Sequence, residues 1–251
     1  MSRWTWARAS CRGTSHVRQG TRKQDAFSCV VAKLSTLIVV VSDGAGSASH
    51  GGEGASVAAR HIARHAAEYV NRTGSLPHDS EIWFWTDEVR DLLAVASTRR
   101  GTDRKNFAAT LVGIISTGDQ TIVFHIGDGA AVARNKDTKK WETLSWPEQG
   151  EYASTTFFIT DEPSVRLRIE KREMGVDAVA VFSDGIERLA LSFSQGTPHA
   201  PFFEAMIKPL DESSAIGCDL VLSRKLHSYL DSSAVNDRTD DDKTLILAVL
   251  K

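Results

Sequence analysis

Apolar positions along the 251-residue chain alternate in short runs, give way to helical spacing in the middle, and then alternate again. Trp4 to Ser10 sets Trp4, Trp6 and Arg8 against Thr5, Ala7 and Ala9, which predicts a strand with two different faces. Phe27 to Val31 and Leu37 to Val41 are β-rich, with Lys33 to Thr36 as a hairpin loop between them. From Glu53 to Val70 the period changes: Ala55, Ala59, Ile62, Ala63, Ala66 and Val70 share one face of a helix. A second helix is predicted over Asp79 to Ser97, capped by Asp79 or Ser80, with Ile82, Trp85, Val89, Leu92, Leu93 and Ala96 on its buried face.

Strand signals return over Phe107 to Ile115, Thr121 to Ile126, Ala130 to Arg134 and Trp141 to Leu144, as a meander. Ser145 to Ser164 reads as a long functional or mobile loop, and Val165 to Ile169 and Ala178 to Phe182 resume the sheet. Helices over Pro201 to Lys208 and Asp211 to Tyr229, then a strand over Thr244 to Leu250, complete the pattern. This order lacks regular β-α-β alternation, which disfavours a doubly wound parallel sheet. Two packed, mainly antiparallel sheets with helices outside, in one domain spanning 1–251, fit better.

Composition narrows the classes. A formal net charge of -2 gives no whole-chain signature of nucleic-acid binding. Three widely spaced cysteines, Cys11, Cys29 and Cys218, suggest neither a disulfide framework nor a zinc knuckle, and point to a reducing cytoplasm. The strongest apolar run, Leu37 to Val41, is far short of the roughly 20 residues that span a bilayer, and the Arg-dotted N-terminus lacks a secretory core, so no membrane role is expected.

The candidate chemistry lies in three Asp-Gly pairs, each ending a β-rich run: Asp43-Gly44, Asp128-Gly129 and Asp184-Gly185. Asp-Gly is also a strong hairpin signal, and that reading is strongest at Asp128, where Ala130 to Arg134 looks like the returning strand. If the carboxylates converge, joined by Asp25 and the Asp240-Asp241-Asp242 run, they form an oxygen-rich pocket for hard divalent cations. His61 and His65 lie one helical turn apart but lack a third ligand nearby in sequence, so a solvated helix flank is favoured there. His125 is expected to pack between layers.

Seven segments in order carry a resemblance: G-T-R-K-Q-D-A (Gly20 to Ala26), V-S-D-G-A-G (Val41 to Gly46), G-G-E-G-A-S-V-A-A (Gly51 to Ala59), A-T-L-V (Ala109 to Val112), I-G-D-G (Ile126 to Gly129), F-S-D-G (Phe182 to Gly185) and D-D-K-T (Asp241 to Thr244). Together they resemble the metal-dependent type 2C (PPM) Ser/Thr protein phosphatases, in bacterial form, over nearly the whole chain. The resemblance implies an α+β fold, an α-β-β-α sandwich, with a binuclear Mn²⁺/Mg²⁺ centre at one end of the sheets. It implies that Asp43 bridges two ions, that the Gly44 carbonyl ligates one, that Asp184 and Asp241 bind the other, and that Asp128 helps hold a weaker third. Asp25 would orient water, and a hydroxide bridging the ions would attack phosphorus directly.

The phosphate-gripping Arg that the family carries five residues before its first-motif Asp is Gly20 here, so Arg18, slightly ahead of Arg22, is the substitute. His50 arrives late in the second motif and is the candidate general acid. Phosphorylated proteins, those of a Ser/Thr kinase, are the implied substrates, with a monomer favoured. The alternative is a pseudophosphatase of the same fold that binds phosphoprotein without turnover.

Overall fold

In the computed structural model, residues 3–148 and 156–251 are described, and the elements follow in this order. The first part contains β1 (Trp4–Cys11), α1 (Thr14–Gln19), β2 (Ala26–Ala32), β3 (Thr36–Ser42), α2 (Gly51–Thr73) and α3 (Asp79–Arg100). The middle is mostly β: β4 (Leu111–Ser116), β5 (Thr121–Ile126), β6 (Ala130–Asn135), β7 (Trp141–Ser145), β8 (Arg168–Arg172) and β9 (Val176–Phe182). Then come α4 (Glu187–Ala190), the two-residue pair β10 (Leu191–Ser192) and β11 (Thr197–Pro198), α5 (Ala200–Glu212), β12 (Gly217–Cys218), α6 (Leu220–Leu230), α7 (Ser233–Asn236) and β13 (Lys243–Leu250).

Two sheets hold the frame. One runs in the order β12-β1-β13-β9-β6-β7 and the other β2-β3-β4-β5-β8, and every pairing in them is antiparallel except the short β1–β12 contact. Period-two alternation sends each strand's side chains into different layers. In β3, Leu37, Val39 and Val41 join Val179, Val181 and Ile246 between the sheets, while Ile38 and Val40 face Ile62 of α2 and Val89 and Leu93 of α3. In β9, Ala178, Ala180 and Phe182 turn outward onto Phe203 and Ile207 of α5 and Leu226 of α6. Strands buried on both faces need near-continuous apolar runs, which β3 and β9 supply. The result is the expected α-β-β-α sandwich.

Several local expectations change. β6 does not return beside β5: it pairs with β7 and β9 in the opposite sheet, so Gly127 to Gly129 is a crossing between sheets and the hairpin reading of Asp128-Gly129 is overturned. The strand predicted from Phe107 starts only at Leu111, because 104–107 form a 3-10 turn. α3 begins after His78 with no side-chain cap, and Asp79 instead pairs with Lys171 at 3.3 Å. Leu92 is 45 % exposed, whereas Thr86 and Ser97 take buried places on α3. The helix predicted from Asp211 splits, since 213–219 leave helix and insert β12 beside β1, with Ile216 exposed.

The predicted long loop partly lies outside the described residues, over 149–155. Its described end is fastened rather than loose: Ile159, Val165 and Leu167 are buried with α3, the Ile159 amide donates to the Ala109 carbonyl at 2.9 Å, and Arg90 donates to the carbonyls of Ile159 and Asp161. Among the described residues, no helix is long and apolar enough to cross a membrane.

Gly54 lets α2 cross directly over the 3-10 turn, because a Cβ there would collide with the Phe107 carbonyl. Gly54→Ala is expected to destabilise the protein by about 1–3 kcal/mol through overpacking, despite alanine's better helix propensity. Gly46→Ala, where no atom lies within 4 Å, should leave the thermal midpoint nearly unchanged.

Candidate metal centre

Antiparallel register gathers the acidic residues. Asp43 follows the last residue of β3 and Asp25 precedes the first of β2, and Ala26 pairs with Ser42. Asp184 lies just beyond β9 and Asp241 just before β13, and Phe182 pairs with Leu245. Ala130, just past Asp128, also pairs with Phe182. Five carboxylates from separate connections thus meet at one end of both sheets, where Asp25, Asp128, Asp184 and Asp241 each raise the pKa of another member of the group.

The backbone around them is pinned by hydrogen bonds. Asp43 donates its amide to Thr110 Oγ1 at 3.0 Å and accepts from the Thr110 amide at 2.8 Å. Asp25 Oδ2 accepts from Ser183 Oγ at 2.8 Å and from Thr244 Oγ1 at 2.6 Å, so one oxygen ties β9 to β13. Asp242, buried to 1 % exposure, accepts from the amides of Gly13, Gln24 and Asp25 and lies 2.9 Å from His16 Nδ1. It clamps the segment after β1 to the start of β13. Gly44 forms an antiparallel bridge with Ala109, and a side chain there would strike the backbone of Gly51 and Gly52 at the start of α2.

Burial and mutual repulsion strain this group electrostatically. Burial raises the carboxyl of Asp43 well above its ordinary range, and Asp25, Asp184 and Asp241 push it further. Burial likewise raises Asp184, helped by Asp128 and Asp241. Asp25 is raised by burial against the lowering effect of the Asp43 carboxyl beside it and of hydrogen bonds from Thr244 and Ser183, and Asp128 is raised by burial against its own backbone amide and Thr156. Asp25 Oδ1 and Asp184 Oδ1 are buried with no hydrogen-bond partner among the described residues. Orphaned carboxylate oxygens are costly unless something cationic meets them. An all-oxygen donor set with two such atoms fits hard divalent ions such as Mn²⁺ or Mg²⁺.

The remaining candidates spread around this point. Asp184 and Asp241 line a cavity of about 380 Å³ with Glu187, Arg188, Asn236 and Arg238. Arg18 is exposed and reaches Asp240 Oδ2 at 2.7 Å, at that cavity's wall. His50 stacks on Phe107, with ring centroids 5.0 Å apart, and lines a different cavity with Arg22, Lys23, Gln24 and Arg100. His125 is buried, 2.7 Å from Ser145 Oγ, and held neutral by burial, with its pKa pushed down to about 3.

Sequence reasoning took Asp242 only as part of the acidic run and not as a clamp, and it missed His16, whose partner lies more than 200 residues away, together with Arg188 and Arg238. Position offers a signal for Asp242 only in retrospect: it alternates against Asp241 on entry to β13.

The model for the family described as protein phosphatase 2C matches residues 12–231. The chain is 37 % identical over 251 residues to serine/threonine-protein phosphatase 3 of Escherichia coli (strain K12), covering 98 % of each. Among solved structures it is similar to PppA, a key regulatory component of T6SS in Pseudomonas aeruginosa (TM-score 0.68, 17 % identity, 100 % of each chain). It is also similar to the catalytic domain of the serine threonine protein phosphatase PstP in complex with two manganese ions (TM-score 0.67, 13 % identity, covering 100 % of this chain and 99 % of that one). The chain belongs to the protein phosphatase 2C family.

The raised carboxyls give a signed prediction for metal-free protein. Each binds more protons folded than unfolded, so its contribution to stability is full below the unfolded value of 3.8 and is lost as pH rises through the raised folded values. Asp184→Asn removes one repelling charge. In EDTA at neutral pH it should raise the thermal midpoint above wild type, and the gap should close as pH falls toward 4.

Proposed function

We propose that the chain is a phosphoprotein phosphatase that hydrolyses phosphoserine and phosphothreonine in proteins with Mn²⁺ or Mg²⁺, two ions and a weaker third. The carrying observation is the pair of buried, unpartnered oxygens on Asp25 and Asp184 within an all-carboxylate cluster. Membership of the family and the similarity to serine/threonine-protein phosphatase 3 support the reaction class. The two manganese ions bound by PstP support the ion count. Orphaned, mutually repelling carboxylates tell against a module that binds without turnover.

In this reading Asp43, the Gly44 carbonyl, Asp184 and Asp241 would hold the two ions, and Asp128 would hold the third. When bound, the ions acidify water and offset phosphoryl charge. The chain's own residues then set geometry. Ser183 and Thr244 fix Asp25 through Oδ2, which leaves Oδ1 to take a hydrogen bond from water and orient it toward phosphorus. Arg18, placed by Asp240, and Arg188 and Arg238 on the same cavity wall receive the phosphate. His50, its ring fixed by Phe107, is the proton donor to the leaving alkoxide. Substrates are those of a Ser/Thr kinase, and the protein works as a cytoplasmic monomer.

Release of phosphate from a phosphothreonine peptide tests this. Wild type with Mn²⁺ should be active and EDTA should abolish the activity, while Asp43→Asn and Asp184→Asn should each lose about a hundredfold or more in kcat. Activity indifferent to EDTA and to both substitutions contradicts the proposal. Arg188→Ala and Arg238→Ala should mainly raise KM, as expected for groups that bind phosphate in ground and transition states alike.

A further inference from the structure

The helix pair α2–α3 carries a cluster that the carboxylate centre does not use. His61 and His65 sit one turn apart on α2, with ring centroids 4.2 Å apart. Glu88 reaches across from α3, and its Oε2 lies 3.2 Å from His61 Nε2 and 3.8 Å from His65 Nδ1. One ligand atom from each of the three residues lies within 4.8 Å of the others. The missing third ligand comes from the neighbouring helix, which no local reading of His61 and His65 could supply.

Geometry and chemistry both favour a transition ion here over a magnesium-class one. A four-coordinate zinc with bonds of about 2.0–2.1 Å keeps its ligand atoms about 3.3–3.4 Å apart, and the two Glu88 separations fall within a few tenths of an ångström of that. Two imidazoles and a carboxylate are the donor set of zinc, nickel or copper, in contrast to the all-oxygen centre at the sheet ends. The side chains are 10 %, 23 % and 32 % exposed for His61, His65 and Glu88, so they are held but reachable. Trp85 packs beside His65, and His61 lines a cavity of about 370 Å³ together with Ser56, Arg60 and Leu92.

We propose that His61, His65 and Glu88 form a second metal site, for one zinc-class transition ion, that pins α2 to α3. The ion stiffens the helix whose first residue, Gly51, packs against Gly44 beside Asp43. One neighbour opposes it: Arg64 Nη2 donates to His65 Nε2 at 3.0 Å, which directs the ring proton to Nδ1. Binding at Nδ1 moves that proton to Nε2, and the exposed Arg64 side chain swings away.

Titration with Co²⁺ and with Zn²⁺ on protein already saturated with Mg²⁺ tests the site without reference to phosphatase activity. Wild type and Asp43→Asn should both show the intense visible bands of four-coordinate cobalt, and Zn²⁺ should raise the thermal midpoint of both. His65→Gln and Glu88→Gln, checked for native circular dichroism, should weaken the ion by about tenfold or more, whereas Arg64→Ala should tighten it. Equal affinity in wild type, His65→Gln and Glu88→Gln, or cobalt bands that vanish only in Asp43→Asn, overturns the proposal.

Discussion

Crowding like charges at the end of a buried sheet is the constraint from which the rest of this structure follows. Asp25, Asp43, Asp128 and Asp184 are all driven above their ordinary pKa by burial first and by neighbouring carboxylates second, so the fold must hold them where they resist being. It does so mainly with backbone amides and neutral hydroxyls. Thr110 grips Asp43 on both sides, Ser183 and Thr244 share Asp25, and Asp242 collects three amides and one imidazole. Three amides and an imidazole meet the oxygens of Asp242, which serves as a clamp, while Asp184 keeps an open oxygen.

The sandwich makes that confrontation affordable. Its interlayer is closed by Leu37, Val39, Val41, Val179, Val181 and Ile246, all essentially fully buried, and its outer faces by α2 with α3 and by α5 with α6. Strands packed on both faces cannot slip register without exposing a complete apolar set, so their ends are fixed in space. Loops rooted in such ends position groups well. The arrangement also explains why α2 starts so close to the centre: Gly44, Gly51 and Gly52 are stacked backbone to backbone, and helix and centre are mechanically joined.

Much of this was legible in the residue pattern. Alternation located β1, β-rich apolar runs located β3, β5, β9 and β13, helical spacing located α2 and α3, and the Asp-Gly pairs marked where strands hand over to loops. What failed had physical causes. Pairing between sheets is invisible to local pattern, so β6 was expected beside β5 although an Asp128-Gly129 crossing carries it to the other sheet. Apolarity alone put Leu92 in the core, but Thr86 satisfies itself by donating to the Ile82 carbonyl and takes a buried place on the helix. Contacts between separate elements, His16 with Asp242 across most of the chain and the helix-to-helix reach of Glu88, leave no periodic trace.

The central claim is that these converging carboxylates exist to hold divalent cations. Crystals soaked in Mn²⁺ and measured for anomalous scattering test it most directly. The account predicts two strong peaks about 3.5–4 Å apart, bridged by Asp43 and flanked by Asp184 and Asp241. Peaks elsewhere, or carboxylates paired only with one another and with water at saturating Mn²⁺, would contradict it.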